Sequence, residues 1–185
     1  MNIKKVVVGP LIENCYILEK DGNAIIIDPG DEYLKIKKEL IDLNVIGVFI
    51  THAHFDHIGT LNDLLDDYNI PLYYYNVNNE IPYEKLINIE EKEYELNNFK
   101  FKCIYTPGHR NDLMTFYFYE DSIMFTGDFL FKGTIGRTDL EYGNYDDMLK
   151  SIDKIKKYDN NIKIYPGHGE ETTLKEEKEN NMYMF

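Results

Sequence analysis

Tryptophan is absent from this 185-residue chain, cysteine occurs twice and histidine only five times. Cys15 and Cys103 each lie inside an apolar run and neither belongs to a C-x-x-C pair, so a disulfide scaffold is excluded and both read as reduced core thiols. No run approaches the roughly 18 consecutive apolar residues of a membrane span. The N-terminal run Val6-Val7-Val8 is too brief for the apolar region of a signal peptide, so a cytoplasmic location is expected. Basic residues are scarce as well. Against 33 Asp and Glu there are 20 Lys and Arg, and the net charge of −13 repels phosphate backbones and anionic membranes at long range. Neither nucleic acid nor membrane is an expected partner. The densest basic run, Lys154 to Lys157, is interrupted by Ile155 and reads as the solvated face of a helix. There is no Ser/Gly linker, low-complexity block or solenoid repeat, so residues 1–185 read as a single domain.

What the chain does have is apolar content, 43% with 14% aromatic, enough for a sizeable core. Ile3 to Val8, Cys15 to Leu18 and Ala24 to Ile27 are β-branched runs separated by turn residues and read as three sequential antiparallel strands. A helix is expected from Glu32 to Leu43, burying Leu34, Leu40 and Ile41, followed by a strand over Ile46 to Ile50. Ile58, Leu61, Leu64, Leu65 and Tyr68 recur at helical spacing. Leu72 to Tyr75, Phe99 to Tyr105, Leu113 to Tyr119, Ile123 to Phe125 and Ile162 to Tyr165 supply further strands. Within the first of these, Tyr73-Tyr74-Tyr75 reads as one wet and one buried face. Tyr145 to Tyr158, with Met148, Ile152 and Ile155 on one side, and Thr172 to Asn180 are the remaining helices. Grouped strands with helices between and after them indicate an α/β sandwich with helices outside two sheets.

Four of these strands end alike. Phe49-Ile50-Thr51 leads to His52, Ile104-Tyr105-Thr106-Pro107-Gly108 to His109, Met124-Phe125-Thr126-Gly127 to Asp128, and Ile164-Tyr165-Pro166-Gly167 to His168. Pro fixes φ and Gly permits a tight bend, so the Pro-Gly-His turns place an imidazole at a rigid exit from the sheet. Four such ends along one sheet edge converge on one spot. The first is dense, since His52-Ala53-His54-Phe55-Asp56-His57 offers three imidazoles and a carboxylate. Small Ala53 lets His52 and His54 face the same way, while Asp56 and His57 point apart from them and suit a second metal. A lone histidine is more often a hydrogen-bonded structural residue than a ligand. Here every histidine follows a strand-turn signal and none lies on a helix surface, so a common metal site is the stronger reading.

His52-x-His54-x-Asp56-His57 followed by His109, Asp128 and His168 resembles the metallo-β-lactamase superfamily across nearly the whole chain. Gly136-Arg137-Thr138-Asp139-Leu140 and Pro166-Gly167-His168-Gly169 are closer to its hydroxyacylglutathione hydrolase (glyoxalase II) branch and the short single-domain relatives of that branch. The resemblance implies a four-layered αββα sandwich and two divalent metal ions, zinc first with iron or manganese also accepted by such donors. In that scheme His52, His54 and His109 hold one ion, Asp56, His57 and His168 the other, and Asp128 bridges them. It further implies hydrolysis of a small-molecule thioester or ester by a metal-bridging hydroxide, with Asp56 and Asp128 as the catalytic carboxylates. With all five histidines assigned as ligands, none remains as a general acid. That favours a thiolate leaving group, whose parent thiol has a pKa near 8.5, over an amine that must be protonated to leave.

Two readings compete with it: a mononuclear iron persulfide dioxygenase of the same fold, which shares the H-x-H-x-D-H and Gly-Arg-Thr-Asp features, and a metal-binding sensor domain without turnover. The segment Arg110-Asn111-Asp112-Leu113 after His109 departs from the small-residue run that is common in the family. Arg110 reads equally as an anchor for an anionic substrate or as an ion pair. For Arg137 a pair with Asp139 precedes substrate binding. Asp28, in Ile27-Asp28-Pro29-Gly30, matches an acid that supports the histidine-rich loop in the family. The chain ends soon after His168, short of the helical domain that carries glutathione contacts in longer relatives, so glutathione specificity is assigned to no residue here.

Overall fold

The computed structural model describes residues 1–185. The chain divides into two compact units, residues 1–89 and 90–185, each built on its own six-stranded sheet. None of its helices is long and apolar enough to cross a membrane.

In the first unit β1 (Asn2–Val8), β2 (Glu13–Lys20) and β3 (Asn23–Ile27) form the expected antiparallel meander. From β3 onward the sheet is parallel, through β4 (Asn44–Phe49), β5 (Leu72–Tyr74) and β6 (Leu86–Asn88). Parallel pairing requires crossovers. Helix α1 (Tyr33–Glu39) supplies one, and α2 (Phe55–Ile58) with α3 (Leu61–Tyr68) supplies the next. Val6, Cys15, Ile17, Ile26 and Val48 pack with Ile36 of α1 and Leu61, Leu64 and Leu65 of α3. The alternate residues Tyr16, Leu18, Ile25, Ile27 and Phe49 are buried too, which explains why Ile25-Ile26-Ile27 is continuous rather than alternating.

Three expectations are corrected here. Helix α1 buries Ile36, and its C-cap Leu40, four residues on, is buried too, while Leu34 and Ile41 are exposed; Leu34 lies off that stripe and Ile41 beyond the cap. The helix expected around Ile58 to Tyr68 is two helices, broken where the Gly59 backbone presses on Gly30: a Cβ on Gly59 would stand 2.2 Å from the Gly30 carbonyl oxygen. Tyr73 and Tyr74 are both buried, Tyr73 stacked on Phe49 with centroids 4.6 Å apart, so this strand has no wet face there.

The second unit runs β7 (Glu93–Leu96), β8 (Phe99–Tyr105), β9 (Met114–Phe118), β10 (Ile123–Gly127), a small hairpin β11 (Leu130–Phe131) and β12 (Thr134–Ile135), α4 (Tyr145–Ile155), β13 (Lys163–Pro166), β14 (Thr172–Thr173) and α5 (Leu174–Asn180). Strands β7 to β10 pair antiparallel in sequence order and β13 joins β10 in parallel. Strands β8, β10 and β13 therefore run the same way, and their C-terminal ends share one edge. Met148, Ile152 and Ile155 of α4 pack onto Ile104, Met124 and Ile164 as the helical spacing anticipates. The Asn144 side chain caps α4 by accepting from the Asp147 N–H at 3.1 Å.

Truncation of this seam is expected to weaken the fold. Ile152→Ala should lower unfolding free energy by about 2–5 kcal/mol, and Asn144→Ala by about 1 kcal/mol. Urea titration followed by circular dichroism checks both, the chain having no tryptophan to report by fluorescence.

Candidate metal centre

Because β3 and β4 are parallel, the chain leaves both at the same sheet edge, which sets Asp28 beside Thr51 and His52. Asp28 is buried, with φ 51°, a left-handed conformation that short Asp side chains tolerate. It accepts from the Thr51 N–H at Oδ1 and from the Thr51 hydroxyl at Oδ2, each at 2.7 Å. Its Oδ2 also stands 3.0 Å from His57 Nδ1. A carboxylate only accepts, so His57 carries its proton on Nδ1 and Nε2 is the lone-pair nitrogen. The Thr51 hydroxyl gives its proton to Asp28 and so accepts from His52 Nδ1 at 3.0 Å, which sets the same tautomer on His52. His52 Nε2 then faces His54 Nδ1 at 3.0 Å, a separation two ring nitrogens keep only with a proton or a cation between them.

Asp56 and His57 lie in the first turn of α2. His57 therefore sits on a helix but not on its surface, since α2 turns it inward until it is fully buried. Its Nε2 stands 3.9 Å from Asp56 Oδ2. Sequence reasoning missed Glu13, buried at the head of β2 with Oε1 3.9 Å from His57 Nδ1. Glu13, Asp28 and His57 form a compact buried donor group. The available signal was an acid opening a strand whose next five residues are all buried.

In the second unit the ends of β8, β10 and β13 bring His109, Asp128 and His168 together. The expected single edge is corrected in one respect, since the strand ahead of His52 belongs to the other sheet. The Arg137 carbonyl accepts from His109 Nδ1 at 2.8 Å, leaving Nε2 as the lone-pair nitrogen. Asp128 Oδ2 then stands 3.6 Å from His109 Nε2 and 3.6 Å from His168 Nε2. Both distances are too long for hydrogen bonds. They match the separation of about 3.4 Å between two ligands each about 2.1 Å from one tetrahedral ion. Gly136 is required here: a Cβ would stand 1.8 Å from the Asp128 carbonyl oxygen and 3.2 Å from His109 Cβ.

The two arginines are engaged elsewhere. Arg110 is buried, its Nε and Nη2 donating to Asp112 at 2.9 and 3.1 Å, and its guanidinium lies 5.1 Å from the Tyr142 ring centroid. That geometry is the one expected of the ion-pair reading. Arg137 is exposed and bidentate on Asp139 at 2.7 and 2.8 Å, and this hydrogen bonding holds the Asp139 carboxyl down to about 2. Its main-chain carbonyl, rather than its guanidinium, supports a candidate ligand. The cysteines are absent from both donor groups. Burial, then the Glu13 and Asp28 charges, pushes the Cys15 thiol well up, and burial pushes Cys103 up. The donor chemistry is all nitrogen and oxygen, which fits zinc, iron or manganese.

A family model described as the metallo-beta-lactamase superfamily matches residues 8–168. The chain belongs to the metallo-β-lactamase superfamily. Hydroxyacylglutathione hydrolase GloC of Haemophilus influenzae is 31% identical, the alignment covering 100% of this chain and 98% of that protein. Among solved structures, the BLEG-1 B3 metallo-beta-lactamase superposes with a TM-score of 0.91 at 30% identity, covering 99% of each chain. TTHA1623 in a di-iron-bound form gives 0.85 at 29% identity, covering 97% of this chain and 99% of that one. The fold is therefore the expected α/β sandwich of this superfamily.

Two outcomes are expected from the geometry. Asp28→Asn, which keeps the left-handed turn but disturbs the tautomers of His52 and His57, should lower metal affinity by about 10–100-fold in competition with a chromogenic chelator. Unchanged affinity would remove Asp28 from ligand support. With their pKa values raised, Cys15 and Cys103 should resist a thiol reagent at pH 8 in the native protein, and both should react in urea.

Proposed function

We propose that this protein is a binuclear metal-dependent hydrolase acting on small-molecule thioesters in the cytoplasm. The observation that carries the reading is Asp128 Oδ2, equidistant from two imidazole nitrogens at a ligand-to-ligand spacing. In this reading His52, His54 and His109 would hold one ion. Asp56, His57 and His168 would hold the other, with Asp128 serving both. The superfamily match supports the scheme, and the di-iron form of TTHA1623 supports a two-metal centre and admits iron beside zinc. Two dications held by these donors would bring a shared water toward a pKa of about 7 and polarise a carbonyl.

The chain's own residues decide the leaving group. Asp56 keeps one oxygen to receive or orient a proton of the attacking water. No histidine is left over, and both guanidiniums are held by Asp112 and Asp139. A leaving group that needs no proton therefore suits the site, and a thiolate is such a group. The name of the Haemophilus relative, a hydroxyacylglutathione hydrolase, supports the same substrate class.

Protein loaded with zinc, iron or manganese should bind about two ions per chain by elemental analysis. It should hydrolyse thioesters faster than a β-lactam or an anilide in a common panel. His54→Ala and Asp128→Asn should each reduce kcat/KM by more than about 100-fold while keeping the circular dichroism of the fold. Fewer than about one ion per chain would sink the reading. Oxygen uptake with glutathione persulfide and one bound iron would replace it by the dioxygenase alternative.

A further inference from the structure

The second unit lays two connections against each other. One is the turn of residues 106–113 after β8, closed by the Thr106 N–H donating to the Leu113 carbonyl at 3.1 Å. The other runs over residues 136–144, from β12 to α4. Gly136 lies so close to the turn that a Cβ there would stand 3.2 Å from His109 Cβ. The Arg137 carbonyl accepts from His109 Nδ1 at 2.8 Å, and the Asn144 N–H donates to the Gly108 carbonyl at 2.8 Å. Tyr142 adds its ring, with the centroid 5.1 Å from the Arg110 guanidinium carbon. Two successive residues of one connection, His109 and Arg110, are thus each met by a residue of the other. Residues 136–144 are also folded on themselves: the Gly143 N–H donates to the Leu140 carbonyl at 2.9 Å, and a Cβ on Gly143 would stand 2.4 Å from the Thr138 carbonyl oxygen. A displacement at Tyr142 is therefore passed on toward Arg137.

Two costs accompany the contact between Arg110 and Tyr142. Arg110 and Asp112 are both buried, and taking an ion pair out of water is a poor source of net stability. What the pair does give is orientation, because Nε and Nη2 on the two carboxylate oxygens fix the guanidinium plane. Tyr142 has φ 63°, a left-handed conformation that strains a bulky residue and that Asn or Gly would take readily. It stays 42% exposed, so apolar burial offsets little of that strain. We propose that Arg110 and Tyr142 are positioning residues for His109. The ring on the fixed guanidinium latches residues 136–144 to the turn, which keeps the Arg137 carbonyl on His109 Nδ1 and Nε2 as the nitrogen offered to a metal. The segment Arg110-Asn111-Asp112 thereby gains a use that the small-residue run common in the family could not supply. The proposal deepens the metal-centre reading and rests on it for His109 as a ligand; no substrate enters it.

The test reads the His109 Nδ1 proton by nuclear magnetic resonance of the full chain, zinc-loaded and metal-free, with the signal assigned by its loss in His109→Gln. Its exchange with solvent measures how often the Arg137 carbonyl lets go. Zinc affinity is measured beside it by competition with a chelator. Tyr142→Asn removes the ring and relaxes the left-handed backbone, so the thermal midpoint should hold or rise. The proton should nonetheless exchange about 10-fold faster and zinc should bind about 10-fold more weakly. Tyr142→Phe keeps the ring and should match the native chain in both readouts. Arg110→Lys keeps the charge but not the plane and should act like Tyr142→Asn, and combining the two should add little, because both break one contact. Exchange and affinity within about twofold of native in Tyr142→Asn overturn the proposal, as does Tyr142→Phe behaving like Tyr142→Asn. Losses that only track a fall in thermal midpoint overturn it too. If both readouts move as expected and no thioester is hydrolysed, the positioning role stands and the hydrolase reading fails. If thioesters are hydrolysed and neither readout moves, the hydrolase reading stands and the positioning role fails.

Discussion

An imidazole can offer a metal only the nitrogen that bears no proton, so a histidine-rich centre depends on groups that hold the proton on the other nitrogen. In this chain that work falls to main-chain and carboxylate acceptors placed by strand topology. Asp28 receives His57 Nδ1 directly and His52 Nδ1 through the Thr51 hydroxyl, so one carboxylate sets two tautomers. It can do so only because β3 and β4 are parallel and end side by side, which is in turn why α1 must carry the chain back between them. The second unit reaches the same end with the Arg137 carbonyl on His109 Nδ1. There the parallel direction of β8, β10 and β13 brings their terminal residues to one edge, where open α/β sheets commonly place ligands.

The distribution of charge follows the same logic. Burying a carboxylate is costly unless hydrogen bonds or an opposite charge accompany it. Away from the candidate centre the chain meets that condition conventionally. Asp112 lies against the Arg110 guanidinium, and buried Glu177 accepts from Thr172 Oγ1 at 2.7 Å, Asn181 Nδ2 at 2.8 Å and the Gly133 N–H at 2.8 Å. Around His57 the arrangement differs, since Glu13, Asp28 and Asp56 gather on one imidazole. Three acids within reach of one ring make a local field that favours a cation, so part of the net charge of −13 is concentrated where a dication would offset it.

Much of this was legible in the residues themselves. The four strand-end turns, the His52 to His57 cluster, the α4 stripe and the supporting place of Asp28 all depend on neighbours close in sequence. What escaped depends on neighbours far away. Glu13 heads an apolar strand, and its burial is settled by β2 lying beside β3 and so beside Asp28. The break at Gly59 is imposed by Gly30, a residue on another connection. Arg110 offers two readings in sequence, and its pairing with Asp112 beneath the Tyr142 ring is visible only in the packing. Leu34 is exposed because it lies two residues from Ile36, off the stripe that Ile36 and Leu40 share, and which stripe faces the sheet is set by packing.

Left-handed residues show where local preference yields to the site. At Asp21, Asn69, Asn79 and Asn97 a positive φ falls on residues that tolerate it, and each marks a turn or a helix end. Asp28 belongs to that tolerant class, yet it is buried and its carboxylate orients two rings. Ile12 and Tyr142 do not belong to it: one tips the turn over a cavity beside Asp56, and the other covers the guanidinium that follows His109. A sequence shaped for stability alone would relax both with Asn or Gly. Neither is relaxed: Ile12 ends the turn whose Leu11 lines the cavity shared with Asp56, and Tyr142 packs on the guanidinium next in sequence to His109, so both strained residues belong to connections that also carry the candidate donors or their neighbours.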